Sequence, residues 1–155
     1  MQELEKIKRL EFHEGFKAEP YKCTANKLTQ GIGRNIEDNP LSETEKLLIR
    51  DLNNWTLAEA RTILKGDVKV CETLLSNMCR CYDKLDDERQ YALLDMCYQL
   101  GINGLLGFKK MIKALEVGDF EYAATQCLDS KYAKKDTPSR ANRIARLIKT
   151  GVWTI

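Results

Sequence analysis

Histidine is nearly missing from this chain. His13 is the only one in 155 residues. A mixed Cys–His zinc site therefore has almost nothing to draw on. Long apolar runs are missing too. None approaches the roughly 18 residues that a membrane span needs, so no membrane insertion is expected. The opening decapeptide MQELEKIKRL is too charged for a secretion signal, and the expectation is a protein made and folded in a cytoplasm. There is no internal repeat, linker or low-complexity tract. The length suits one compact domain, or two small lobes that share a helix. Hydrophobic residues at 43% against 31% charged are enough to bury a core, which excludes a disordered chain.

What the chain does have is cysteine: Cys23, Cys71, Cys79, Cys81, Cys97 and Cys127. Without a secretion signal, free thiols are expected rather than disulfides. Cys79 and Cys81 lack the usual two-to-four-residue gap of zinc ligands, so neither a structural metal nor a cofactor is expected. Charge is uneven. Between Lys131 and Lys149 stand Lys131, Lys134, Lys135, Arg140, Arg143, Arg146 and Lys149 against one acid, Asp136, although the whole chain totals only +2. Such an end suits an anionic polymer such as nucleic acid, teichoic acid or peptidoglycan. The plainer reading is a solvated helix face.

Periodicity makes the chain mostly helical. Leu4, Ile7 and Leu10 recur at helical spacing, and Gly15 is placed to stop that helix. Glu14 then sits in the last turn, where the helix dipole disfavours an anion. Pro20 rules out continued helix. Tyr21, Cys23, Leu28, Thr29 and Ile32 suit two short strands around an Ala25-Asn26-Lys27 turn. Gly31 and Gly33 mark close backbone approach or a bend. Ser42 with Glu45 forms a capping box that predicts a helix through about Leu52, and Thr56 with Glu59 opens a longer one through about Met78. Asp86 is the N-cap of an apolar helix that ends at Gly101. Two shorter helices, about 104–118 and 120–129, follow. Thr137-Pro138 starts a last helix through Lys149.

Chemistry concentrates between Glu14 and Gly33. A protonated carboxyl at Glu14 is the form needed to meet the leaving oxygen of a glycosidic bond. Partial burial would raise a glutamate pKa towards that role. Cys23 has several readings: a nucleophile with His13 as base, the second group of a two-group glycosidase site, or a small hydrophobe packed on a strand. Thr29 is a site hydroxyl or a plain strand threonine. Arg140 and Arg143 either pair with a buried acid or are solvated.

The order Glu14, eight residues, Cys23, five residues, Thr29, then Gly31-Ile32-Gly33, resembles the active-site signature of phage-type lysozymes, glycoside hydrolase family 24. In that family the middle residue is Asp or Cys. Glu14-Gly15 and Tyr21 agree as well. So do Tyr98-Gln99-Leu100-Gly101, Gly107-Phe108, Thr137-Pro138-Ser139-Arg140-Ala141-Asn142-Arg143 and the ending Thr150-Gly151-Val152-Trp153. The likeness runs in order along nearly the whole chain and extends to the T-even members.

The resemblance implies an α+β, mostly α, lysozyme-like fold of two lobes: a small one with the β-hairpin over 15–56, and a larger helical one over 80–155 plus the N-terminal helix 1–14. A long helix, 57–79, joins them, and the sugar chain lies between the lobes. It implies hydrolysis of the β-1,4 bond between N-acetylmuramic acid and N-acetylglucosamine in peptidoglycan, with nucleic acid not a partner. Glu14 would be the acid, Thr29 would hold a water and Cys23 would stand where other members have Asp. Tyr98, Gln99 and Gln126 would line the substrate, and Arg140 would support the acid. The setting it implies is an endolysin, a monomer made in the host cytoplasm. It would reach the wall from the periplasm after release by a separate holin-type protein and cause lysis. A lytic transglycosylase on the same bond and a cysteine-dependent amidase are the alternatives. Two departures stand out: Arg34 follows Gly33 where the T-even members have His, and one extra residue lies between Ser130 and Thr137.

Overall fold

A computed structural model describes residues 1–155, the side chain of Lys135 apart. The chain is mostly helical with one small antiparallel sheet, the α+β lysozyme-like class. In order the elements are α1 (Glu3–Glu14), β1 (Lys17–Lys22), β2 (Leu28–Gly31), β3 (Arg34–Asn35), α2 (Glu43–Lys46), α3 (Leu57–Met78), α4 (Asp87–Leu106), α5 (Lys109–Glu116), α6 (Phe120–Leu128) and α7 (Pro138–Thr150). A 3₁₀ turn at Tyr82–Lys84 and a π turn at Tyr132–Asp136 complete them. Two compact units emerge from the packing, Gln2–Asp67 and Val68–Ile155 with Met1, so the division falls inside α3. Among the described residues no helix is long and apolar enough to cross a membrane.

The first unit is built around the sheet. α1 ends where Gly15 takes φ +70° and its N–H returns to the Glu11 carbonyl at 2.8 Å. Ion pairs Arg61–Glu11 and Lys65–Glu3, at 2.9 and 3.5 Å, fasten α1 to the start of α3. Three strands form in the order β1-β2-β3, one more than the two expected. The extra pairing arises because Ile32 and Gly33 turn the chain back, which sets Gln30 opposite Arg34. Pro20 lies in the irregular stretch between the Lys17–Gly31 and Tyr21–Thr29 pairs. That is the kind of place where a strand tolerates proline. Gly31 is needed for space: a Cβ there would meet the Trp55 ring at 2.6 Å.

The helix expected from Ser42 to about Leu52 is much shorter. The capping box does form, with the Glu45 N–H donating to Ser42 Oγ at 3.1 Å. The helix nevertheless stops at Lys46, after which Leu48 and Ile49 donate three residues back. Beyond it, as far as Leu52, only Ile49 is buried, while Leu47 and Leu48 are 87% and 51% exposed, so no continuous helical face is covered. The second box holds. Glu59 N–H donates to Thr56 Oγ1 and Thr56 N–H to Glu59 Oε1, and α3 runs for 22 residues.

The second unit packs its helices around α4, whose residues Tyr91–Cys97 are all buried. Asp86 caps it through the Arg89 N–H. Gly101 does leave helical geometry, at φ 76°, but the helix resumes to Leu106. The single helix expected over 104–118 is interrupted at Gly107-Phe108, where the Phe108 ring stands edge-on to Tyr132, centroids 6.0 Å apart. Thr137 precedes α7 but makes no cap with its side chain, because its Oγ1 accepts from Gln99 Nε2 at 3.0 Å instead. The segment between Ser130 and Thr137 holds the π turn. There the Thr137 N–H reaches back five residues to the Tyr132 carbonyl at 3.0 Å.

Candidate active site

The Gln2–Asp67 unit brings Glu14, Cys23 and Thr29 together with Tyr21. Each position follows from local structure. Glu14 is the last residue of α1, and its half-buried carboxyl lies directly against Gly33. A Cβ built on Gly33 would stand 2.6 Å from Glu14 Cδ, and the backbone there has φ +69°. Only glycine meets both demands. The second glycine of the Gly-Ile-Gly run is therefore a seat for the acid as well as a bend.

Tyr21 pairs across the sheet with Thr29, and Cys23 follows two residues on, one place beyond the end of β1. This register sets the three on one face. The turn between them is closed by the Cys23 N–H to the Lys27 carbonyl at 3.0 Å and by Asn26 in the left-handed region, φ 60°. Burial pushes the Cys23 thiol up, yet hydrogen bonds from the Lys27 amide, the Thr29 side chain and the Ala25 amide outweigh it, so the thiol sits below its ordinary value. Thr29 is buried at 4% exposure and donates to the Lys27 carbonyl at 3.0 Å. The Lys27 carbonyl and the Cys23 sulfur therefore compete for its single hydroxyl proton.

The role of Tyr21 was missed in the sequence. Burial, then the nearby Glu14 carboxyl, then Cys23 raise its hydroxyl above the ordinary tyrosine range. It stays a neutral donor beside an acid and a thiol. The available signal was its spacing of two from Cys23 on a strand.

The remaining residues singled out in the sequence belong to the Val68–Ile155 unit. Tyr98 and Gln99 lie, half-buried, near the end of the apolar stretch of α4. Gln99 holds Thr137 through its amide, and its Oε1 is buried with no hydrogen-bond partner. Gln126 lines a cavity of about 610 Å³ together with Leu100, Phe108, Met111 and Tyr132. Arg140 is not a solvated helix arginine. It is 8% exposed, and its Nε donates to Asp95 Oδ1 at 2.8 Å. Asp95 is fully buried and also accepts from the Tyr91 hydroxyl at 3.0 Å. This anchor was legible as one acid inside the apolar run Tyr91–Cys97, and sequence reasoning passed over it.

A small antiparallel sheet beside a helix that ends on a half-buried glutamate, in an otherwise helical chain, defines a lysozyme-like protein. Residues 11–146 match the family of phage lysozymes, and the chain belongs to that family. It is 33% identical to the probable T4-type lysozyme 1 of Dictyostelium discoideum and 29% identical to the probable T4-type lysozyme 2 of the same organism, over 92% of both chains in each case. It is also 27% identical, over 89% of its length, to the pre-baseplate central spike protein Gp5 of Enterobacteria phage T4, which it matches over 26% of that longer protein. Membership makes this a lysozyme-like, glycosidase-type hydrolase of peptidoglycan.

Proposed function

We propose that the protein is an N-acetylmuramidase that hydrolyses the β-1,4 bond between N-acetylmuramic acid and N-acetylglucosamine. The observation that carries this reading is the seating of the Glu14 carboxyl against Gly33, with Tyr21, Cys23 and Thr29 in the same unit. The proposed chemistry asks this carboxyl to donate a proton as general acid. Glu14 protonates the glycosidic oxygen as the bond breaks. Thr29, buried and hydrogen-bonded to the turn, orients the incoming water. Cys23 supplies a thiol of lowered pKa where a carboxylate would otherwise assist that water. Glu14 carries the larger share, since loss of the leaving group without a proton is the harder step. Tyr98, Gln99 and Gln126 bind the glycan, and Arg140 has a supporting role for the acid.

The biological setting that fits is an endolysin, monomeric, made in the host cytoplasm and released to the wall by a separate holin-type protein. The relatives include proteins of an amoeba as well as of a phage, so digestion of bacteria by a eukaryotic host is the competing setting.

Purified peptidoglycan with wild type and Glu14→Gln is the direct test, read by turbidity and then by product masses. Wild type should clear the suspension and release reducing ends, and Glu14→Gln should not. Anhydro ends would instead make the protein a transglycosylase, and new amino groups would make it an amidase. Cys23→Ala should keep part of the activity. A loss as complete as that of Glu14→Gln would overturn the division of labour.

A further inference from the structure

Four of the six thiols lie in one region of the Val68–Ile155 unit, and the glycosidase chemistry uses none of them. They form two pairs. Cys71 and Cys97 face each other from α3 and α4 through a hydrogen bond that draws the Cys97 thiol down. Cys79 and Cys81 lie on the turn that leaves α3, with their sulfurs 3.5 Å apart. Among the described residues no three cysteine, histidine or carboxylate side chains are placed to hold a metal ion, which leaves sulfur chemistry itself.

The two pairs differ in their place in the fold. Cys71, partly exposed, and Cys97, buried, stand on two separate helices. Cys79 lines a surface cavity of about 340 Å³ whose wall includes Arg80, Lys109, Lys113 and Glu116. Cys79 and Cys81 are nonetheless only 2% and 3% exposed, so a bulky disulfide reagent has no approach and a small oxidant does. Only Arg80 separates the two, on a turn closed by Tyr82 N–H to the Cys79 carbonyl and Lys84 N–H to the Cys81 carbonyl, both at 3.1 Å. From 3.5 Å the sulfurs need to close by about 1.5 Å to reach bonding distance, about 2.05 Å.

We propose that Cys79 and Cys81 form a dithiol site oxidised by small hydroperoxides, with Cys79 the attacking sulfur and Cys81 the resolving one. Cys79 lines the cavity and Cys81 does not, which gives that order. The two sulfurs share a hydrogen bond in which either can donate; with Cys81 donating, Cys79 is held below the ordinary thiol value and Cys81, with burial, above it. The Cys79 thiolate attacks the peroxide oxygen: an S–O bond forms, the O–O bond breaks, and hydroxide leaves to be protonated by solvent. Cys79 is now a sulfenic acid. The Cys81 sulfur attacks it, an S–S bond forms and the S–O bond breaks. The departing hydroxide takes the Cys81 proton as water. One dithiol is oxidised by two electrons and one hydrogen peroxide is reduced to two waters; with an alkyl hydroperoxide the first leaving group is the alkoxide, and the products are an alcohol and one water. A dithiol reductant reverses the bond.

The experiment uses the full chain in a Cys23→Ser background, so that the half-exposed thiol near Glu14 does not consume oxidant. Hydrogen peroxide is added, free thiols are alkylated under denaturing conditions, and peptides are mapped by mass. The expected product has lost two hydrogens and carries a Cys79–Cys81 bond, with Cys71, Cys97 and Cys127 fully alkylated. Adding Cys81→Ser should stop the reaction at the sulfenic acid, trapped by dimedone on Cys79. Adding Cys79→Ser should abolish both products at the same peroxide exposure. A Cys71–Cys97 bond, a dimedone adduct on Cys81 in place of Cys79, or four intact thiols would each overturn the assignment. The first measurement needs neither pair variant, so it stands even where a serine at 79 or 81 impairs folding.

Discussion

Gly33 answers two constraints at once. Its φ of +69° disfavours any side chain, and the Glu14 carboxyl occupies the space a Cβ would take. Gly118 has the first constraint without the second, with φ +76° and nothing within 4 Å. The pair separates backbone strain from displacement of the acid. Gly118→Ala should cost about 1–2 kcal/mol of stability and leave peptidoglycan clearance intact. Gly33→Ala should cost a similar amount and also reduce peptidoglycan clearance on the order of a hundredfold, because it moves a reacting group by about an ångström. Thermal unfolding and turbidity on the two variants check this. A Gly33→Ala protein with full activity would remove Glu14 from its place in the mechanism. The same spacing of glycines was visible in the sequence, but that one of them faces the acid depends on where α1 ends relative to β3.

At the scale of elements, Arg34 is the clearest case of a local departure with a structural answer. Its guanidinium, 5% exposed, donates to both Glu45 oxygens, to Asp67 Oδ1 at 2.8 Å and to the Asn39 and Pro40 carbonyls. It ties β3 to the short α2 and to α3. An imidazole lacks the donors for five such bonds. Two carboxylates share this one cation, and they are affected oppositely. The Arg34 hydrogen bonds hold Glu45 below its ordinary range. Burial first, opposed by Arg34 but aided by Glu45, pushes Asp67 from 3.8 to about 6. Folded Asp67 thus holds its proton more tightly than the unfolded chain does. Its contribution to stability is fully present below pH 3.8 and is lost as the pH rises through about 6. Asp67→Asn should therefore be more stable than wild type above pH 6, by about 2–3 kcal/mol, with the gap closing towards pH 4. Denaturant melts across that range test it, and a gap that widens at low pH would reverse the argument. The π turn makes a second prediction. Deleting the exposed Lys134 should restore ordinary helical spacing at a cost within about 1 kcal/mol, since its ion pair with Asp129 is solvent-exposed.

At the scale of the whole chain, the ends of the Val68–Ile155 unit are closed by one side chain. Arg89, at the start of α4, donates from Nε to the Ile148 carbonyl at 2.7 Å and from Nη2 to the Lys149 carbonyl at 3.2 Å, capping the end of α7. It also pairs with Asp86 and lies 3.6 Å above the Phe120 ring centroid. Arg89→Lys keeps the charge but not the fork, and should lose about 2 kcal/mol of stability. A lysine variant as stable as wild type would show that charge alone suffices. The basic segment 131–149 is also less basic than its composition suggests. Lys134 pairs with Asp129, Lys149 with Glu121 and Arg140 with Asp95, acids that lie outside the segment. Binding to an anionic wall should accordingly weaken only modestly with salt.

Most of the elements were legible along the chain, because periodicity, caps and glycine stops act over a few residues. α1, α3, the N-terminus of α4, and the Glu14, Cys23 and Thr29 spacing are all of that kind. The signature by itself also determined the family, as an ordered set of residues needs no coordinates to be read. What only the tertiary structure decided involves partners far apart in sequence. The helix after Ser42 stops early because nothing there buries its leucines, and Thr137 gives up its cap to Gln99. Asp95 stood out locally as one acid in an apolar run, but its partner Arg140 lies 45 residues away. Gly33 becomes the seat of the acid, and Tyr21 a member of the site. Burial and long-range contact decide each of these, and a local pattern carries no record of either.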